Sequence, residues 1–258
     1  MNAPQQILSV WRKFDRFPME TLTKAWYSTL GTEKKQRDIA LMKEHRQQYG
    51  ITGNCFDLAI WLLDQFHKEG ITAYPIGSKM KTKRAHAAVV AEDENGYRYL
   101  CDLGDQWLNP ILLDLNSEDY TNELLTGFFP AASVQVLPRN DEVEIFYYRP
   151  NGKVSKQSYQ LEAIEMNEFL IAAELSQRNI SQKPLLECRV PYKEEVAHWE
   201  FYDWKSYFSS NEGLKEEEAL QSNSEWAKKI ADMTGYNLEL VEISLAVFSS
   251  FLKKNRLE

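Results

Sequence analysis

The sequence predicts an α+β fold in which a helical lobe precedes a sheet or barrel of short strands. Up to about Gly70, apolar residues recur at helical spacing. From Ile71 onward, short runs rich in Val, Tyr, Phe and Leu are separated by strong turn signals at Glu94-Asn95-Gly96 and Pro150-Asn151-Gly152. With 258 residues, of which 43% are hydrophobic, the chain can bury the core of one large domain or of two to three packed lobes.

The predicted elements follow in chain order. Helices are expected at Met19–Leu30, Glu33–Tyr49, Asn54–His67, Glu165–Gln177, Ser224–Met233 and Leu238–Lys254. Strands are expected at His86–Glu92, Tyr97–Leu103, Ser133–Leu137, Val143–Arg149 and Val154–Leu161. The acidic run Glu216–Glu218 is typical of a linker ahead of the two last helices.

Composition narrows the class of protein. The net charge of −8 argues against a nucleic acid or an anionic membrane as the main partner. No stretch approaches the ~20 apolar residues that span a bilayer, and the first 15 residues lack the apolar segment of an export signal. Cys55, Cys101 and Cys188 form no CxxC pair, so we expect neither a disulfide framework nor a metal site, and we expect reduced thiols in a cytoplasmic protein.

One of these cysteines begins an apolar helix. Asn54 is a good N-cap and Asp57 follows three residues later, as in a capping box, so Cys55 is the first helical residue. The positive end of a helix favours a thiolate, and its free N–H groups can hold an oxyanion. The alternative is a structural role, because free cysteine is among the most buried residue types.

A nucleophilic thiol needs a base and a group that orients the base. His86 is the candidate base, because it begins a strand directly after a loop. Asp102 is the candidate orienting group, because a carboxylate within an apolar strand requires a partner. His45 and His67 are expected on the surface, and His198 in the core or in a lid.

The turn between the two strands decides whether His86 and Asp102 meet. A two-residue turn at Asn95-Gly96 places them on opposite faces of the hairpin. A three-residue loop, Glu94-Asn95-Gly96, pairs Ala88 with Asp102 and brings His86 to the same face. A Cys–His–Asp triad therefore requires the odd-length loop or an equivalent bulge, and Glu-Asn-Gly suits that loop.

These segments resemble the arylamine N-acetyltransferase family, within the wider group of transglutaminase-like and papain-like thiol folds. The resemblance rests on Gly53-Asn54-Cys55-Phe56-Asp57, His86, Asp102-Leu103-Gly104 and Pro110–Leu113, which follow the family's order and approximate spacing. The chain departs from the family at three places: Ile51-Thr52 replaces Arg-Gly, Asp57 replaces Glu, and Asp105-Gln106 replaces Phe-Gly.

The resemblance implies a cysteine-proteinase-like core with a helical lobe (1–70), an antiparallel β-barrel lobe (71–190) and a C-terminal α/β lid (191–258). It implies a ping-pong acyltransferase in which Cys55 accepts an acetyl or other acyl group from coenzyme A, His86 shuttles the proton, and a small-molecule amine collects the acyl group. On this reading Lys81, Lys83 and Arg84 contact coenzyme A phosphates, or alternatively form a solvated loop.

Two other functions use the same residues. A transglutaminase-like thiol hydrolase or amidase needs the same triad but no coenzyme A. An inactive binding scaffold keeps the fold and loses the reactivity of Cys55. The sequence leaves the acyl donor, the amine and the oligomeric state open.

Overall fold

The structure is a computed structural model that describes residues 1–80, 82–139 and 141–254. Its N-terminal part consists mainly of helices, with one short strand. These elements are α1 (Gln5–Trp11), β1 (Met19–Glu20), α2 (Leu22–Ser28), α3 (Ile39–Tyr49) and α4 (Cys55–Lys68). Helix α4 packs against α1 and against the first two strands of the following sheet, which makes it the central helix that its apolar circumference predicts.

Two of the predicted helices are wrong at their starts. Met19 and Glu20 form β1, because they pair with β10 in the distant C-terminal sheet. Helix α3 begins at Ile39 rather than Glu33, since the Asp38 side chain caps it by accepting from the backbone N–H of Leu41 at 2.9 Å. A tertiary contact thus outweighs local helix propensity at Met19, whereas a local cap sets the start of α3.

An eight-stranded antiparallel sheet forms the middle of the molecule. Its strands are β2 (Ala73–Ser78), β3 (His86–Glu92), β4 (Arg98–Cys101), β5 (Ile111–Leu112), β6 (Leu125–Phe129), β7 (Ala132–Arg139), β8 (Glu142–Tyr148) and β9 (Val154–Gln160), in the spatial order β5-β4-β3-β2-β9-β8-β7-β6. The N–H of Leu108 donates to the carbonyl of Phe128 at 2.8 Å, so the segment before β5 meets β6 and the sheet is nearly closed into a barrel.

The C-terminal part is a second sheet covered by helices. Helix α5 (Met166–Arg178) leads into β10 (Leu185–Tyr192), β11 (Glu195–Tyr202), β12 (Lys205–Ser210) and β13 (Gly213–Glu216), followed by α6 (Asn223–Thr234) and α7 (Leu238–Lys254). The sheet order is β1-β10-β11-β12-β13, and its own apolar core includes Leu22, Trp199, Phe201, Trp226 and Leu245.

The predicted α+β class, with a helical lobe, a barrel and an α/β lid, is confirmed. The predicted linker at Glu216 is wrong, because Glu216 pairs with Tyr207 at the edge of the second sheet. The predicted division at residue 190 falls inside β10, and the division into three lobes by residue number stays a prediction. None of the helices in the described ranges is long and apolar enough to cross a membrane.

Candidate active site

The start of α4 has the cap that the sequence predicts. The Asn54 side chain accepts hydrogen bonds from the N–H groups of Phe56 (3.0 Å) and Asp57 (3.2 Å), and the Asp57 carboxylate accepts from the N–H of Asn54 (3.1 Å). Cys55 is thus the first residue of the helix and is partly exposed. Its thiol lies at the positive end of the dipole of a buried helix.

The other two cysteines lie in different surroundings. Cys101 and Cys188 are both buried. Burial raises the pKa of Cys101 well above its ordinary value and that of Cys188 to about 12. Both are therefore neutral thiols at physiological pH, and Cys55 is the accessible cysteine.

The β3–β4 hairpin has the odd-length loop. Asp93 N–H donates to the carbonyl of Tyr97 at 3.0 Å, and Gly96 has a left-handed φ of 78°. The strand register, with Glu92 opposite Arg98, follows from this loop. The predicted loop is therefore confirmed.

The same register brings His86 and Asp102 to one face of the hairpin. The Nε2 atom of His86 lies 2.7 Å from Oδ2 of Asp102. Because Nε2 faces the carboxylate, Nδ1 is the ring nitrogen that remains for the thiol.

The Asp102 carboxylate is fully buried and held by three donors. These are Nε2 of His86, the hydroxyl of Tyr159 at 2.6 Å, and the backbone N–H of Asp105 at 2.9 Å. Burial, and then the charge of Asp102, raises the pKa of Tyr159 well above its ordinary value, so this hydroxyl remains a donor. The sequence analysis missed Tyr159 because only the pairing of distant strands brings β9 to this carboxylate.

The environment of His86 favours its charged form. Burial alone would lower the pKa of this imidazole. The charges of Asp102 and Asp105, with hydrogen bonds to Asp102 and Cys55, outweigh burial and raise the pKa well above its ordinary value. These charges thus favour the imidazolium form of His86 beside the thiol.

Gly104 shows how closely the three predicted site residues approach one another. A Cβ placed on Gly104 would lie 2.6 Å from Cβ of Cys55, 2.9 Å from Cε1 of His86 and 3.2 Å from Oδ1 of Asp102. All three side chains therefore surround a single backbone position, where no side chain fits. This close approach explains the glycine of the Asp102-Leu103-Gly104 segment.

A buried ion pair lies behind the cap. Arg37 Nη2 is 3.5 Å from Oδ2 of Asp57, and their side chains are only 2% and 3% exposed. The amides of Gln36 (2.9 Å) and Gln177 (2.8 Å) also donate to Asp57, and Arg37 donates to the carbonyl of Thr52. Arg37 thus brings a guanidinium to the helix start, although the family's Arg is replaced here by Ile51.

The sequence did not indicate Arg37 as a site residue, because the polar run before α3 is typical of a solvated first turn. The structure leaves Glu33 and Lys34 exposed but buries Gln36 and Arg37, and the carboxylate of Glu174 on α5 accepts the N–H groups of Lys35 and Gln36. The expected surface position of His45 is likewise wrong, because its ring is buried against Trp26.

Lys24 adds a second cation near the thiol. Its ammonium donates to the carbonyls of Asn179 (2.9 Å) and Ser176 (3.3 Å) at the end of α5. Burial lowers the pKa of Lys24, and the negative forms of Cys55, Asp57 and Glu20 oppose that shift. Lys24 therefore lies within electrostatic range of Cys55 and of Asp57.

Two clefts adjoin the His86–Asp102 pair. One, of about 370 Å³, lies between the two sheets and is lined by residues that include Asp105, Tyr147, Glu187, His198 and Glu200. The other, of about 480 Å³, reaches His86 itself and is lined by Lys79, Arg84 and Lys156. The first cleft is lined by three carboxylates and also by the cations Arg149, Lys153 and Lys156, whereas the second has cations and no carboxylate in its lining.

The residues that the sequence predicts to bind phosphate line different grooves. Arg84 lines the basic cleft beside His86. Lys83 lines a different groove, of about 380 Å³, against Leu175 and Arg178 of α5. Lys81 lies outside the described residues.

Comparison with known proteins gives a clear result for the fold. Neither the protein-family models nor the curated proteins give a match. Among solved structures, the Nocardia farcinica arylamine N-acetyltransferase matches with a TM-score of 0.74 and 15% identity, over 97% of this chain and 91% of that one. The chain has the arylamine N-acetyltransferase fold.

Two further structures support this conclusion. The arylamine N-acetyltransferase from M. tuberculosis matches with a TM-score of 0.72 and 11% identity, over 95% of this chain and 91% of that one. The Mycobacterium marinum enzyme in complex with CoA matches with a TM-score of 0.66 and 10% identity, over 90% and 88%. The predicted resemblance to arylamine N-acetyltransferases is thus confirmed as a shared fold.

Proposed function

We propose that the protein is a coenzyme A-dependent acyltransferase in which Cys55 carries the acyl group to an amine. The supporting observation is the gathering of Cys55, His86 and Asp102 around Gly104. It occurs within a fold shared with arylamine N-acetyltransferases, one of which was solved with CoA.

In the first half-reaction, the Cys55 thiolate attacks the carbonyl carbon of the acyl-coenzyme A thioester. The Asn54 cap occupies the N–H groups of Phe56 and Asp57, so we assign the N–H of Cys55 to the developing oxyanion. The bond to the coenzyme A sulfur then breaks, and that sulfur takes the proton of the His86 imidazolium. The products are the Cys55 thioester, free coenzyme A and a neutral His86.

In the second half-reaction, an amine nitrogen attacks the Cys55 thioester. Neutral His86 accepts the proton that this nitrogen loses, while Cys55 leaves as a thiolate. The amide departs and the thiolate–imidazolium pair is restored. Asp102 holds the imidazole throughout, because its carboxylate is itself fixed by Tyr159 and Asp105.

We assign the coenzyme A phosphates to the basic cleft. Lys79 and Arg84 line it together with His86, so a thioester bound there has its reactive end beside the imidazole. Lys156 lines it too, although its ammonium pairs with Glu144. Of the residues that the sequence predicts to bind phosphate, Arg84 is therefore assigned to this role and Lys83 is not.

Steady-state kinetics test the proposal. With acetyl-coenzyme A and aniline varied together, a ping-pong cycle gives parallel double-reciprocal lines. Arg84→Ala should raise the KM for acetyl-coenzyme A about tenfold, equivalent to ~1.4 kcal/mol of binding, and Lys83→Ala is the matched control. Release of acetate without an amine would instead indicate a hydrolase. Absence of turnover, with slow iodoacetamide labelling of Cys55, would indicate a binding scaffold.

A further inference from the structure

The His86 imidazole has a second carboxylate beside it. One oxygen of Asp105, one oxygen of Asp102 and one nitrogen of the ring lie within 4.8 Å of one another. Asp102 is fully buried, whereas Asp105 is half-buried and lines the cleft of about 370 Å³ between the two sheets. Asp105 stands where the resembled family has Phe, so this second carboxylate is a departure of this chain from the family.

A turn fixes the position of Asp105 relative to Asp102. The backbone N–H of Asp105 donates to Oδ1 of Asp102 at 2.9 Å. Gln106 follows with a left-handed φ of 59°, where the resembled family has Gly. Its side-chain amide donates to the carbonyls of Leu103 (2.8 Å) and Phe17 (3.2 Å), which holds the turn in this conformation. The backbone therefore places the second carboxylate beside the imidazole.

The charge of His86 favours the ionised form of Asp105. Burial raises the pKa of Asp105 to about 6. The charge of His86 opposes burial most strongly, followed by the hydroxyl of Tyr147, which donates to Oδ2 of Asp105 at 3.3 Å. Asp105 is therefore mainly ionised at neutral pH.

The charge of Asp105 in turn favours the protonated form of His86. Burial lowers the pKa of this ring, and the charges of Asp102 and then Asp105 are the largest effects that raise it. Asp102 is held by three donors and is sealed from solvent. Two anions thus act on one imidazole, and only Asp105 lines the cleft.

Several titratable groups that face Asp105 across the cleft are neutral or favour their neutral forms. Burial raises the pKa values of Tyr147 and Tyr159 well above the ordinary value. Burial, and then the charge of Arg149, lowers the pKa of His198 to about 4. Burial also raises the pKa of Glu187 on β10 well above its ordinary value.

The charged groups around the pair act mainly on other partners. The cations are Arg149, Lys153 and Lys156 in this cleft, and Lys79 and Arg84 in the basic cleft. Arg149 and Lys153 lower the pKa of Glu200, the cross-strand partner of Glu187, although burial raises it. Lys156 pairs with Glu144. Arg149 also favours the ionised form of Asp105, but less strongly than His86 does.

We propose that Asp105 is a positioning residue of the triad, whose ionised carboxylate keeps His86 protonated as a second anion beside Asp102. The inference rests on the proposed acyl transfer. In the first half-reaction, the protonated ring supplies the proton that the coenzyme A sulfur takes. In the second, the same negative charge makes the neutral ring a stronger base toward the amine nitrogen.

The pH dependence of the two half-reactions tests the inference. Asp105→Asn removes the charge and keeps the backbone N–H that donates to Asp102. Acylation needs the protonated ring, so kcat/KM for acetyl-coenzyme A falls at high pH. Transfer from the acetylated enzyme to aniline, which is uncharged in this range, needs the neutral ring, so its kcat/KM falls at low pH. In Asp105→Asn both limbs should move to lower pH, by about one pH unit.

Two further variants control for a merely structural role. Asp105→Glu keeps the charge, so both limbs should stay close to their wild-type positions. Asp232→Asn is the same change at a side chain that is 64% exposed on α6, and its profiles should match the wild type. A loss of rate in Asp105→Asn with both limbs unmoved would overturn the inference.

NMR titration of His86 separates failure of this inference from failure of the proposed function. In Cys55→Ala the measurement needs no acyl transfer, and the His86 signal is the one absent from Cys55→Ala/His86→Gln. We expect a lower pKa of the ring in Cys55→Ala/Asp105→Asn than in Cys55→Ala. That decrease without any acylation of the wild-type protein would refute the proposed acyl transfer and keep the interaction of Asp105 with His86. Acyl transfer by the wild type with an unchanged pKa of the ring would overturn the inference alone.

Discussion

Removal of the Arg37 charge should destabilise the protein, because Arg37 forms a buried ion pair with Asp57 at the start of α4. In Arg37→Met the Asp57 carboxylate stays buried without its cation. Breaking a buried ion pair by removing one partner costs about 3–5 kcal/mol. Gln36, Gln177 and the N–H of Asn54 still donate to Asp57, so we expect the lower end, about 3 kcal/mol. Both side chains are at most 3% exposed, so solvent screening reduces this value little.

A double-mutant cycle in urea measures the effect. Arg37→Met/Asp57→Asn removes both charges, so it should lose less stability than the sum of the two single variants, with a coupling energy of about 1.5–3 kcal/mol. Lys228→Met is the control, because the Lys228–Asp232 pair is 70% and 64% exposed and should change stability by less than ~1 kcal/mol. Additive losses, with coupling below about 0.5 kcal/mol, would refute the role of the buried pair.

Three further substitutions test the geometry around the thiol. Gly104→Ala should slow iodoacetamide labelling of Cys55 and acyl transfer by about 100-fold, because the new methyl group displaces the reacting groups; wild-type rates would contradict this. Asp102→Asn should lower the pKa of the His86 ring, because the largest interaction that opposes burial is lost, and NMR titration measures the shift. An unchanged pKa would oppose the assignment. Tyr159→Phe should cost about 1.5–3 kcal/mol in urea unfolding, because a buried carboxylate loses a donor, and no loss would argue against that hydrogen bond.

The parts of the site that the sequence predicts are those set by local chemistry. The capping box needs only Asn54 and Asp57, three residues apart, and it places Cys55 at the helix start. The hairpin register needs only the Glu94-Asn95-Gly96 loop, which brings His86 and Asp102 together. Both follow from backbone geometry over a few residues.

The parts that sequence reasoning missed depend on contacts between distant segments. Tyr159 reaches Asp102 because β9 pairs with β2, through Gly77 and Gln160. The opposition of Glu187 and Glu200 appears only with the register of β10 and β11. Local periodicity gives no strand order, so these partners became visible only in the folded chain.

Arg37 was missed for a related reason. Its neighbours are polar, and a polar run before a helix is typical of solvent exposure. Burial there is imposed by α5, whose Glu174 and Gln177 bind the segment. The burial of Arg37 next to the capping box therefore depends on tertiary contacts with α5, which the local sequence does not reveal.

The most direct test of the account is the mass of the intact protein after incubation with acetyl-, propionyl- and malonyl-coenzyme A in separate reactions. We predict one acyl group on the wild-type protein for at least one donor, absent from Cys55→Ala and retained by Cys101→Ala, whose thiol is buried. An adduct that persists in Cys55→Ala, or the absence of any adduct on the wild-type protein, would contradict the assignment of Cys55 as the acyl carrier.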